Sequence, residues 1–88
     1  MTFIPFVFDG DGRIELDEAQ LELAFARSTI LAQICKENGI RPDEAMLALA
    51  VFLGRELRDC SQRDARRTVD GLVNLMWRVA TSRQTPVQ

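Results

Sequence analysis

A chain of 88 residues with 47% hydrophobic and 27% charged residues is enough for one domain and too apolar to be disordered, yet it buries only a limited share of its surface unless a partner covers the rest. Its net charge of −2 and pI of about 5.0 weigh against wholesale nucleic-acid binding while leaving room for a local basic face. With no His and no Tyr, the usual general base near neutral pH and the phenolic acid are both missing, and a non-enzyme without cofactor is expected.

The chain opens with TFIPFVF at residues 2–8, rich in β-branched and aromatic side chains, and RIEL at 13–16 could pair with it across DGDG. A short β-hairpin or strand over about 2–16 is predicted, and Pro5 confines its first arm to an edge or a bulge. The same stretch has the look of a calcium loop. With Gly12 at the sixth position, Asp9, Asp11, Glu15 and Glu18 fall on ligand positions, but Val7 at the first offers no side-chain oxygen and no helix precedes it. A hairpin turn built on aspartates and glycines accounts for the same residues, so no metal site is expected.

Three helices are predicted to follow. The first covers about 17–38, with Asp17 as N-cap, Gln20 as its capping-box partner and Gly39 as the stop. At about 100° per residue its polar side chains form a narrow stripe, and the apolar arc is wider than a single neighbour requires. Arg27 falls inside that arc, where it must snorkel out or meet an acid on another element. The second helix, about 42–59, starts at Pro42 with Asp43 and Glu44 in its first turn, and its run AMLALAVFL has no polar face. Such a helix is expected to be central. The third, about 62–82, is capped by Ser61 with Asp64 in the reciprocal position. Its predicted core face is Ala65, Val69, Leu72, Val73, Met76, Val79 and Ala80, with Trp77 at the boundary and Leu75 at the opposite rim. Residues 1–82 are read as a single helical domain of bundle type with an N-terminal hairpin, and 83–88 as a flexible tail.

Two surfaces are candidates for function. Arg55, Arg58, Arg63, Arg66 and Arg67 cluster around the second helix junction, with Trp77 further along the third helix, and they would suit an acidic partner surface. The competing reading is a solvated face laced with pairs from Asp59 to Arg55 and Arg63, and from Asp70 to Arg66 and Arg67. Leu23, Arg27, Ile30 and Ile34 on the first helix, with Leu47 and Val51 on the second, are the predicted self-association residues of a homodimer.

The run DGRIEL followed by a helix resembles the start of swapped-hairpin transcription factors of the AbrB type. From Arg13 to Leu53 the order of strand, helix, NGIRPDEA turn and apolar helix resembles the ribbon-helix-helix repressors, which would imply an intertwined dimer gripping DNA through the strand. A longer first helix and an additional third helix depart from that pattern, and a strand presenting Glu15 suits the phosphate-lined groove poorly. The favoured expectation is therefore a small regulatory or adaptor protein working by protein contact, such as an inhibitor of a transcription factor. A dimeric ribbon-helix-helix-like DNA-binding regulator is the alternative. Cys35 and Cys60 lie far apart without His and are expected as buried free thiols of a reducing cytoplasm. The start lacks a basic region followed by a long apolar run, and no stretch is long enough to span a membrane. The arginine-rich usage, with Lys36 the lone lysine, fits a GC-rich bacterium or one of its mobile elements.

Overall fold

The structure is a computed structural model that describes residues 6–82. It is mostly helical: α1 (Glu18–Glu37), α2 (Pro42–Glu56) and α3 (Gln62–Ala80) follow one another. The chain divides into two units, one made of Met1–Glu15 with Asp59–Gln88, the other of Leu16–Arg58.

In the second unit, local chemistry sets the helix ends. Asp17 Oδ1 accepts from the Gln20 N–H at 2.8 Å, and Gln20 Oε1 accepts from the Asp17 N–H at 2.9 Å, so both halves of the predicted capping box are present. At the other end of α1, Gly39 sits at φ 67°. The Ile40 N–H donates to Cys35 O and the Gly39 N–H to Lys36 O, the paired bonds of a Schellman stop. Pro42 then opens α2, and Glu44 Oε1 accepts from the Arg41 N–H at 3.0 Å. The helix ends at Glu56, earlier than predicted, as Arg58 N–H turns back to Arg55 O at 3.3 Å. Neither α1 nor α2 contains a buried residue, and the two do not pack along each other's length.

In the first unit, the N-terminal segment is laid on α3. Of the predicted hairpin, the described residues carry an antiparallel bridge between Phe8 and Ile14, and no strand forms among them. The cause is local: the turn occupies 9–13 and Asp17 is already the cap of α1, leaving three residues, Ile14, Glu15 and Leu16, between them on that side. Residues 2–5, including Pro5, lie outside the described residues. The turn itself is tied by Asp9, whose Oδ1 accepts from the N–H groups of Asp11 and Arg13 at 2.8 and 3.0 Å. Gly12 adopts φ 80° there, a conformation that side chains resist.

Next to that turn in sequence, the described residues of this unit bury a small core. Ile14 is 6% exposed and Thr68 3%, with Gly71 of α3 also buried. A Cβ built on Gly71 would meet Ile14 Cγ1 at 2.7 Å and Phe8 Cε1 at 3.1 Å, so the segment approaches α3 where a side chain is missing. Thr68 Oγ1 is satisfied by Asp64 O at 2.9 Å. No helix among the described residues is long and apolar enough to cross a membrane.

Candidate functional site

The close approach at Gly71 decides which side of α3 stays open. Thr68, Gly71 and Leu75 face the N-terminal segment side of the helix, and Val69, Val73, Met76 and Trp77 are left 42–64% exposed. This corrects the predicted core face of α3 in part: its Ala65 and Leu72 are half-buried, but Ala80 is exposed. Val69, Val73, Met76 and Val79 are exposed, while Leu75, predicted at the rim, is half-buried. The reason is steric. An aromatic and an Ile can come close to a helix over Gly and Thr but not over a row of Val and Met. Spacings of four, three and one residues place Val69, Val73, Met76 and Trp77 on one stripe, and Arg66 continues it one turn earlier.

The arginines of the predicted cluster have separate surroundings. Arg66 Nε lies 3.8 Å from Asp70 Oδ2, with both side chains largely exposed, so this pair adds little stability. Arg67, expected beside Asp70, instead places its guanidinium 4.7 Å from the centroid of the Phe8 ring, a cation–π contact that the sequence did not disclose. Among the described residues Asp59 forms no ion pair with Arg55 or Arg63. Arg55 and Arg58 belong to the α1–α2 unit and Arg63, Arg66 and Arg67 to the other. A shallow depression lined by Gln62, Arg63, Ala65, Arg66 and Val69 runs along the first turns of α3, joining the start of the apolar stripe to two of the arginines.

Two of the calcium-like residues, Asp9 and Asp11, have defined side-chain partners. Arg13 Nε donates to Asp9 Oδ2 at 3.2 Å and its terminal nitrogen to Asp11 Oδ2 at 2.9 Å. The Arg13 N–H is the main cause holding the Asp9 carboxyl below its ordinary range; partial desolvation opposes it, and the Asp11 N–H and the Arg13 charge assist. A cleft of about 240 Å³ beside the turn is lined by Asp11, Gly12, Arg13, Arg67, Asp70 and Asn74, smaller than the roughly 300 Å³ at which small-molecule pockets begin. No group of three or more acidic, Cys or His side chains is arranged to hold a metal among the described residues.

The self-association residues all fall in the α1–α2 unit. Leu23, Ile30, Ile34, Leu47 and Val51 are 47–71% exposed, and Arg27 is exposed with no carboxylate bonded to it among the described residues. Cys35 and Cys60 are free thiols, half-buried rather than buried as expected. Phe8, Thr68 and Gly71 were not singled out from the sequence. Gly71 was the available signal, since a glycine inside an amphipathic helix usually marks close packing. No family model matches this chain, and no curated protein or solved structure shows significant similarity to it.

Proposed function

We propose that this chain is a small non-enzymatic regulator or adaptor that acts through protein contacts, with the α3 stripe as its contact surface. The observation that carries the reading is the exposed row Val69, Val73, Met76 and Trp77, bordered by Arg63 and Arg66 at its N-terminal end. A large aromatic and a Met in a row, with arginine at the margin, is the composition of energetic centres in protein interfaces. An acidic, apolar-centred surface on a second macromolecule, such as a transcription factor under inhibition, fits it. The ribbon-helix-helix alternative draws less support. Arg13, which a DNA-gripping ribbon would present, is bonded to Asp9 and Asp11.

The test compares the affinity-tagged full chain with its Trp77→Ser and Met76→Ser variants in cells of its own host. A specific co-eluting protein, lost from both variants while far-UV circular dichroism stays unchanged, is the expected result. Retention of the same protein by both variants would remove the α3 stripe from the reading. The DNA-binding alternative predicts a mobility shift of non-specific duplex at about 50 mM salt that collapses as salt rises, and no shift is expected.

A further inference from the structure

The α1–α2 unit poses a different problem from α3. Neither helix buries a residue, although α2 carries an uninterrupted apolar run from Ala45 to Leu53. Eleven large apolar side chains of this unit, from Leu23 to Phe52, are 39–71% exposed. They leave on the order of 1,000 Å² of apolar surface, more than the roughly 800 Å² per partner of a standard interface.

The spacing of the exposed residues narrows what covers them. On α1, Leu23, Arg27, Ile30 and Ile34 follow intervals of four, three and four; on α2, Glu44, Leu47 and Val51 follow three and four. Both are rows that interdigitate with a facing helix. The α1 row contains one charge, the positive Arg27, and the α2 row begins with a negative one, Glu44. Within this chain Arg27 meets no carboxylate among the described residues. Glu44 uses Oε1 for the Arg41 N–H, and a carboxylate has a second oxygen to offer.

We propose that a second copy of this chain covers the unit, α1 of each copy lying antiparallel on α2 of the other, with Arg27 bonded to Glu44 across the interface. Setting Leu23 opposite Val51 of the second copy brings Arg27 opposite Leu47, and Glu44 lies one turn further along, within reach of a guanidinium. A two-fold axis makes this contact twice. The two complementary rows sit on the same chain, which is why a copy of itself fits better than an unrelated helix.

The experiment is sedimentation of the full chain across micromolar concentrations, alone and as variants. The wild type is expected at twice the 10.0 kDa chain mass. Arg27→Glu and Glu44→Arg are each expected to weaken the dimer at least about tenfold, as loss of one partner of a desolvated charge pair does, and the double exchange is expected to restore it. Glu44→Gln keeps an oxygen for the Arg41 N–H while removing the charge, so its weakening of the dimer is read without disturbing the start of α2. A wild type that stays at 10.0 kDa, a double exchange no tighter than either single, or an unaffected Glu44→Gln would each overturn the proposal.

Discussion

Gly71 concentrates the structural consequences of a single atom. In an exposed helix, Gly→Ala gains about 1 kcal/mol of helix propensity. Here the added Cβ would stand 2.7 Å from Ile14 Cγ1 and 3.1 Å from both Ile14 Cδ1 and Phe8 Cε1. Ile14 Cγ1 is next to the backbone and cannot swing aside cheaply, and overpacking of this kind costs about 1–3 kcal/mol. The clash should win, so Gly71→Ala is expected to lower stability by about 1 kcal/mol net in urea or thermal unfolding, against the helix-propensity trend. Ile14→Ala removes the obstructing atom. In that background Gly71→Ala should become neutral or stabilising, a non-additivity that marks direct contact. Two additive losses would mean that the N-terminal segment does not lie on α3 at this point.

The turn of residues 9–13 carries its own pH signature. The Asp9 carboxyl is held below its ordinary value of 3.8, chiefly by the Arg13 N–H and with help from the Asp11 N–H and the Arg13 charge. A carboxylate whose folded pKa is lowered stabilises the fold above its unfolded pKa, and that contribution disappears as pH falls through the lower, folded value. The amide shifts of Asp11 and Arg13 in an acid titration should therefore move with a midpoint below 3.8. A midpoint at or above 3.8 would show the turn unformed in solution. Elements whose causes are local were legible in this way. Asp17 with Gln20, Gly39, Pro42 and Ser61 mark helix ends through causes that lie within five residues along the chain, and all appear where the sequence placed them, although the reciprocal bond predicted from the Ser61 N–H to Asp64 is not formed. The face of α3 was not legible. The sequence shows that α3 has an apolar side, but which side is covered depends on where Phe8 and Ile14 can come close. Of the predicted hairpin the described residues show the pairing of Phe8 with Ile14, and on its second arm the turn and the α1 cap leave little room for more. Arg27 was legible as a conflict, a charge in an apolar row, though nothing local resolves it.

At the scale of the whole molecule, the two units differ in what can hold them. The unit of residues 16–58 has no buried side chain in either helix, and isolated helices of this length are marginal in water because tertiary burial supplies most helical stability. The other unit buries Ile14, Thr68 and Gly71, with Ile14 lying against Gly71 through contacts made within one chain. Amide hydrogen exchange should separate the two as protein concentration is varied through the dimerisation range. Protection across Leu21–Ile34 and Ala45–Leu53 should rise with concentration, since association supplies the burial those helices lack. Protection of Ile14 and of Thr68–Leu72 should stay constant, because its contacts do not require a second copy. The Arg27→Glu variant should hold the first set at its low-concentration value and leave the second untouched. Concentration-independent protection of α1 and α2 would mean that these helices are stable within one chain, and their exposed rows would then have to be explained without a second copy.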